Sequence, residues 1–262
     1  MTACVLFAVS MFASPVGAIT NGSPDGQKHP YVCMVVFYDS SDKPMWRTTG
    51  SLISEKVVLT AGHGTFGTAK ARVWFETDIK GTGYPYGGPT SIEGQVYTNL
   101  DYWDVPQSNG LPGFDYHDVG LVVLSKKVTN ISPAKLPTAG FVDTLRVMSP
   151  VDLVGYGVQW QDHGNGVNPY DAWKWSGLRF YAPAQYVASK DVLYTEFLKL
   201  TANPGQGKGG TAFGDSGGPI LLAGTNTILG VNSFVTNVNC AGVTYAQRID
   251  IPDILSWINS FM

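Results

Sequence analysis

The amino-acid sequence predicts an all-β protein closed by one C-terminal helix, and three observations lead to that prediction. Short runs rich in Val, Ile, Tyr and Phe recur between Gly, Pro, Asn and Asp residues, a pattern typical of strands. Helical periodicity is convincing only in residues 250–262, where Pro252 stands near the start. The apolar residues on one face of that helix are Ile251, Ile254, Leu255, Ile258 and Phe261. With 262 residues, 44% of them hydrophobic and 14% charged, the chain can bury the core of one large all-β domain or of two smaller lobes.

Eight segments are predicted as strands. In chain order they are 31–38, 56–61, 71–77, 119–124, 151–157, 178–182, 227–235 and 242–249. Residues 221–230 are predicted to form a hairpin with its turn at 224–226. Two longer connections, 80–116 and 158–176, are rich in Gly, Asn, Pro and aromatic residues, so we expect surface loops that rim a cleft.

The first 18 residues contain no charged side chain and change from apolar to small, with Val16 and Ala18 placed as a signal peptidase requires. We therefore expect residues 1–18 to be a signal peptide and the protein to be secreted and extracellular; a buried N-terminal strand or helix is the alternative. The formal net charge of −3 and the lack of Lys or Arg runs argue against a nucleic-acid partner. No other segment is long and apolar enough to span a bilayer, so no membrane partner is expected.

Cysteine is scarce in this chain. Cys4 would leave with the signal peptide, so only Cys33 and Cys240 remain in the mature protein. Two cysteines exclude a disulfide-dense scaffold and a metal cluster of cysteines. Their spacing does not settle whether they pair, and we favour free thiols.

Residues 213–220, FGDSGGPI, raise the question of whether Ser216 is a nucleophile or part of a glycine-rich turn. A serine nucleophile needs a neighbouring base, and the base needs a group that orients it. The segment also fits the nucleophile elbow of α/β-hydrolases, which requires a histidine later in the chain, but no histidine follows Ser216. The order histidine, aspartate, serine is present instead, because His63 follows an apolar strand and Asp118 stands at the start of another, both before Ser216. The site would then lie between the two halves of the chain.

These motifs resemble those of the trypsin/chymotrypsin-like serine proteases. TAGHG at 60–64 is similar to the family's histidine motif, DVGLV at 118–122 to its aspartate motif, and GDSGGP at 214–219 is its serine motif, intact. ITNG at 19–22 resembles the family's mature N-terminus, and the likeness covers most of residues 19–262.

The resemblance implies a more specific fold than the strand pattern alone. It implies two six-stranded antiparallel barrels packed across a cleft, with a C-terminal helix. The N-terminal barrel would occupy residues of about 19–135, and the C-terminal barrel and helix about 136–262.

The resemblance also implies the catalytic roles. Ser216 would attack the scissile carbonyl, His63 would act as base and then as acid, and Asp118 would hold the imidazole tautomer. The backbone N–H groups of Gly214 and Ser216 would form the oxyanion hole.

In the family, the aspartate before the serine pairs with the α-amino group released by N-terminal processing. Here those groups would be Asp215 and Ile19. Because Ile19 follows Ala18 directly, we expect removal of the signal peptide alone to generate the active N-terminus.

Specificity is expected to follow from five positions of the substrate pocket. Gly210 stands where trypsin-type enzymes carry an aspartate, Thr211 follows it, and no carboxylate lies at the base. Ser233 would flank the cleft, Val235 would narrow the entrance, and Gly242 would leave the opposite wall open. We expect cleavage after small or medium apolar side chains.

The chain departs from the family at its cysteines. Gly64 and Thr48 occupy the positions of one family pair, and Ala212 replaces the usual partner of Cys240. These changes remove covalent links between segments but no catalytic group.

The resulting hypothesis is a monomeric serine endopeptidase that acts on protein or peptide substrates without a metal or other cofactor. The alternative is a catalytically silent relative that binds proteins through the same surface. An esterase-like hydrolase would use the same three residues and stays open at this point.

Overall fold

A computed structural model describes residues 19–105, 114–161, 173–187, 195–203 and 206–262. The predicted signal peptide and parts of both long connections lie outside these residues.

Within the described residues the chain forms mostly strands, with two α-helices and one 3₁₀ helix. The strands, in chain order, are β1 (Ser23–Pro24), β2 (Val32–Tyr38), β3 (Pro44–Leu52), β4 (Val57–Thr60), β5 (Lys70–Trp74), β6 (Ile92–Thr98), β7 (Trp103–Val105), β8 (Phe114–Tyr116), β9 (Gly120–Leu124), β10 (Pro150–Gly155), β11 (Trp160–Gln161), β12 (Trp173–Lys174), β13 (Phe180–Gln185), β14 (Phe197–Ala202), β15 (Pro219–Leu222), β16 (Ile228–Val235) and β17 (Gly242–Arg248). The helices are α1 (Gly62–Thr65), the 3₁₀ helix Phe141–Thr144 and α2 (Pro252–Asn259).

The first lobe is a closed antiparallel barrel of six strands in the order β2-β3-β4-β9-β6-β5. Strand β2 is buried along its whole length, as expected for a run of β-branched and aromatic residues with neighbouring strands on both edges. Strand β6 is half exposed, because every second residue of it faces solvent. Strand β3 runs from the barrel towards the second lobe, where the Thr49 N–H donates to the Ser216 carbonyl (2.9 Å).

The second lobe is an antiparallel sheet in the order β1-β13-β10-β15-β16-β17-β14. Six of its strands come from the second half of the chain, and the two-residue β1 crosses over from the N-terminal segment to pair with β13. The sheet curls far enough for Tyr186, just after β13, to form a bridge with Leu200 of β14. A barrel-like pair of lobes with one C-terminal helix confirms the predicted fold class.

A buried ion pair ties the N-terminal segment to the second lobe. Asp25 and Arg179 are both almost fully buried, and the Arg179 Nε–H donates to Asp25 Oδ2 (2.7 Å). The other guanidinium nitrogens donate to backbone oxygens, including that of Val32 in β2. A buried ion pair is favourable only with such additional hydrogen bonds, so this contact positions residues 19–25 against β13.

The sequence pattern located eight strands, the hairpin and helix α2, but residues 80–116, expected to be a surface loop, contain strands β6, β7 and β8. Each of the eight predicted segments overlaps a strand, and the hairpin joins β15 to β16 with Gly224 in the left-handed region (φ 74°). Ile254 and Ile258 are the buried residues of α2. Cys33 and Cys240 are both buried and free, as favoured above. In the part of the chain that the structure describes, no helix is long and apolar enough to cross a membrane.

Candidate active site

His63 lies on the short helix α1, which begins directly after β4. Its backbone N–H donates to Asp118 Oδ1 (2.8 Å), and its Nδ1 lies 2.9 Å from Asp118 Oδ2. An ionised carboxylate can only accept hydrogen bonds, so we assign a proton to Nδ1. The other ring nitrogen, Nε2, is then the basic one.

Asp118 precedes β9 and is completely buried between the lobes. In addition to His63, the Ser233 hydroxyl donates to its Oδ2 (2.6 Å), and its backbone N–H donates to Gln247 Oε1 (3.1 Å). Burial opposes ionisation of this carboxyl, but the charge and hydrogen bonds of His63, with the Ser233 hydroxyl, lower its pKa. Asp118 therefore stays ionised and holds the imidazole of His63 in place. Asp118 itself is held by residues from both halves of the chain.

Ser216 lies on the turn that precedes β15 and faces the same cavity as His63, a space of about 270 Å³. The residues that line it are His63, Asp115, Thr211, Ala212, Phe213, Ser216, Asn232, Ser233, Phe234 and Val235. Within the described residues the Ser216 hydroxyl makes no hydrogen bond to His63. The structure thus brings the predicted serine and histidine to one cavity without joining them, and such contacts commonly tighten only when substrate binds.

Two backbone N–H groups beside Ser216 are unused. Gly214 has φ +93°, a conformation that favours glycine, and the preceding Phe213 carbonyl accepts the Val158 N–H (2.8 Å). Because the carbonyl and the N–H of a trans peptide point in opposite directions, the Gly214 N–H points away from Val158. Neither it nor the Ser216 N–H donates to an acceptor in the described part of the chain, so both are available to bind an oxyanion.

Asp215 is the second fully buried carboxylate of the site. Its two oxygens accept the backbone N–H groups of Gly157 (2.8 Å) and Ala212 (2.9 Å). Burial raises the pKa of Asp215 to about 7, although these amides and that of Ile19 act in the opposite direction. The charge of Arg47 also lowers this pKa, and a further cation beside the carboxylate would favour its ionised form.

Ile19 lies next to that carboxylate. Its side chain is fully buried and its φ is +57°, which is strained for a β-branched residue. A chain that begins at Ile19 has no preceding carbonyl, so cleavage before this residue would remove the strain.

The five predicted pocket residues do not all reach the cavity. Thr211, Ser233 and Val235 line it. Gly210 instead pairs through its backbone with Thr20 of the N-terminal segment, and Gly242 is exposed with open space around it.

One carboxylate of the site, Asp115 in β8, was not predicted from the sequence. Its Oδ2 lies 3.6 Å from His63 Nδ1, and its Oδ1 accepts the Tyr102 hydroxyl (2.7 Å). Burial lowers the pKa of His63, but the charge and hydrogen bond of Asp118, followed by the charge of Asp115, raise it to about 9. The signal in the sequence was an acidic residue three positions before Asp118.

His63, Asp115 and Asp118 are also the one group, among the described residues, whose ligand atoms converge closely enough to hold a metal ion. The facing atoms of His63 and Asp118 already bond to each other, and binding an ion would require that bond to break. The arrangement fits proton transfer better than metal binding.

Both pairs of positions that lack the family's cysteines lie side by side. A side chain on Gly64 would come within 3.0 Å of Thr48 Cγ2, and Ala212 packs with Cys240 in one buried cluster. The two links are replaced by ordinary packing.

Comparisons with known proteins agree with this geometry. A family model described as Trypsin matches residues 19–258. Serine protease 1 and Serine protease 2 of Drosophila melanogaster are each 26% identical over 260 residues, covering 92% of this chain and 84% of the relative.

Solved structures with low sequence identity share the fold. HL collagenase is 19% identical with a TM-score of 0.68, covering 93% of this chain and 96% of its own. The scabies mite inactivated protease paralogue S-I1 is 20% identical with a TM-score of 0.63, covering 91% and 97%. The second structure shows that the fold also occurs in an inactivated protease.

Asp115→Asn tests the charge beside His63. Removing this negative charge lowers the pKa of His63, so the acid limb of any hydrolytic activity shifts to lower pH by about 0.5 to 1 unit. The measurement is kcat/KM against pH for both proteins. Asp104→Asn, on the neighbouring strand β7, is the control, and an unchanged or upward-shifted limb in Asp115→Asn would contradict the assignment.

Proposed function

This chain belongs to the trypsin family, and on that premise we propose that it is a serine endopeptidase. Family membership supports a hydrolase that acts on protein or peptide substrates. The observation that carries the proposal is that His63, bonded to the buried Asp118, and Ser216 face one cavity, beside the backbone N–H groups of Gly214 and Ser216.

In the proposed reaction, Ser216 Oγ attacks the scissile carbonyl while His63 Nε2 takes its proton. The C–N bond breaks as His63 returns that proton to the leaving amine, and an acyl-enzyme forms on Ser216. Water activated by His63 then releases the acid product and restores the serine. Asp118 stabilises the imidazolium, and the N–H groups of Gly214 and Ser216 stabilise the oxyanion, each donor contributing about 2.7–4 kcal/mol.

The N-terminus is proposed to complete the site. Residues 1–18 act as a signal peptide, the mature secreted chain begins at Ile19, and its ammonium group pairs with Asp215. The buried, amide-lined Asp215 carboxylate supports this pairing, because a cation there would lower a pKa that burial now raises. We propose that the mature protein acts as an extracellular monomer and needs neither nucleic acid nor a membrane partner.

The cavity supports a preference for small or medium apolar side chains before the scissile bond. Thr211, Ala212 and Val235 line it, and the one carboxylate among its lining residues, Asp115, lies beside His63 rather than at these positions. An extended substrate would pair with the backbone of residues 233–235 as an added strand.

A protein-binding relative without catalysis is the second candidate. It is favoured by the missing hydrogen bond between Ser216 and His63 and by the likeness to an inactivated paralogue. Hydrolysis measured on the correctly processed protein separates the two candidates.

Ser216→Ala is expected to abolish peptide hydrolysis, lowering kcat/KM by about a million-fold because the attacking oxygen is lost. The measurement uses a fluorogenic peptide with an apolar residue before the scissile bond. Ser260→Ala, at the exposed end of α2, should retain full activity. Equal rates in Ser216→Ala and the native protein would exclude this mechanism.

The mature secreted protein is expected to begin at Ile19, as N-terminal sequencing would show. Adding two residues before Ile19 should lower kcat/KM by at least about a hundredfold, because the ammonium group can no longer reach Asp215 and the oxyanion hole is left incomplete. A different natural start, or full activity in the extended protein, would overturn the proposed pairing.

Val235→Gly is expected to widen the entrance of the cavity and shift preference from Ala or Val towards Phe or Leu before the scissile bond, by about tenfold in the ratio of kcat/KM values. Val147→Gly, at an exposed turn away from the cavity, is the matched control. Dominant cleavage after Arg or Lys in the native protein would refute the apolar preference.

A further inference from the structure

Arg47 of β3 carries a positive charge that has no ionic partner in the part of the chain that the structure describes. Its guanidinium stacks on the Trp175 ring at 4.1 Å. Its Nε is buried from solvent and has no hydrogen-bond acceptor. A buried donor without an acceptor is costly and uncommon in proteins, so it points to a group that binds there from outside.

Arg47 lies beside the oxyanion turn. Its Nε is 3.9 Å from the position that a Cβ would occupy on Gly214. Two residues further along β3, the Thr49 hydroxyl donates to the Gly214 carbonyl (3.0 Å). The guanidinium therefore borders the point where the scissile carbonyl would bind.

Arg47 lies outside the cavity that is proposed for the acyl side of the substrate. The cavity proposed for the acyl side is lined by residues 211–213 and 232–235, and Arg47 is not among them. The neighbouring Trp46 donates from Nε1 to the Gly64 carbonyl (2.8 Å), next to His63. The imidazole must protonate the leaving amine, so the chain that follows the scissile bond would pass over Trp46 and Arg47.

Within the part of the chain that the structure describes, no acidic side chain forms an ion pair with Arg47. The adjoining recess of about 150 Å³ contains no acidic residue; it is lined by Val36, Pro44, Met45, Trp46, Arg47, Tyr84 and Pro85. Arg47 lowers the pKa of Asp215, but the oxygens of that carboxylate are bonded to backbone amides. In the mature protein, the Ile19 ammonium would also compete for Asp215.

We propose that Arg47 binds a carboxylate on the leaving-group side of the substrate, carried by an Asp or Glu in the first two residues after the scissile bond. This inference rests on the proposed peptidase function. The guanidinium presents planar donors suited to a carboxylate, and stacking on Trp175 holds it in place before substrate arrives. Arg47 would act as a specificity residue and takes no part in bond breaking.

The test uses matched quenched-fluorescence peptides with Glu or Gln at each of the first two positions after the scissile bond. The native protein should cleave a Glu peptide with kcat/KM about tenfold above its Gln counterpart. Arg47→Met keeps an apolar stem on Trp175 and should reduce that ratio to about 1. Lys127→Met removes the same charge from an exposed surface position and should keep the native ratio.

Two further experiments identify which carboxylate of the peptide binds and whether the interaction is electrostatic. Peptides ending in an amide or a free acid distinguish a side-chain carboxylate from a chain-terminal one, and only the side chain should matter. Raising NaCl to about 1 M should reduce the Glu preference in the native protein, since salt screens partly exposed charges. If Arg47 had only a structural role, Arg47→Met would change neither the ratio of kcat/KM values for the Glu and Gln peptides nor the dependence of that ratio on NaCl.

The failure of this inference is distinguishable from the failure of the proposed function. Cleavage of Glu and Gln peptides at equal rates, or a preference that survives in Arg47→Met, overturns the role of Arg47 while leaving the peptidase intact. If the native protein cleaves no peptide, fluorescence anisotropy of the same peptides on Ser216→Ala still decides. Tighter binding of the Glu peptide, lost in the Ser216→Ala/Arg47→Met protein, supports the inference, and equal binding refutes it.

Discussion

Burial of the Asp215 carboxylate is the constraint on which the geometry of the site depends. A Cβ on Gly155 would lie 2.0 Å from Asp215 Oδ1, and one on Gly157 would lie 2.6 Å from the carboxylate carbon. Neither position can carry a side chain while Asp215 stays in place, which explains the Gly-Tyr-Gly segment 155–157. The same carboxylate holds the Ala212 amide and thereby the turn that carries Gly214 and Ser216.

A second buried carboxylate, Asp118, joins the two lobes across the cleft. It receives hydrogen bonds from His63, on the first barrel, and from Ser233, on the second sheet. Strand β3 also connects the two lobes, because Thr49 donates its backbone N–H to the Ser216 carbonyl and its hydroxyl to the Gly214 carbonyl. Short polar contacts therefore hold the two sides of the cleft together. At the positions where the family has disulfides, Gly64 packs on Thr48 and Ala212 packs with Cys240.

The sequence was sufficient for elements whose signal is local. The strands with dense β-branched residues, the hairpin at Gly224 and helix α2 all follow from periodicity and turn chemistry. Strand β6 escaped prediction because its polar residues face solvent, and its stability comes from neighbours distant in the chain. Asp115 and Arg47 escaped for a similar reason: each is an ordinary charged residue in sequence, and only the fold places one beside His63 and the other beside Gly214. Gly210 pairs with Thr20, a contact between residues 190 positions apart that no local pattern encodes.

We propose that the ordered, Asp215-dependent turn makes Ser216 reactive. The most direct measurement is mass-spectrometric mapping of a fluorophosphonate adduct on protein that begins at Ile19, with its rate of formation compared between the native chain and Asp215→Asn. The claim predicts one adduct, on Ser216, that forms at least about a hundredfold more slowly in Asp215→Asn, since the oxyanion donors lose their support. No adduct on the native protein, or equal rates in the two proteins, would contradict it.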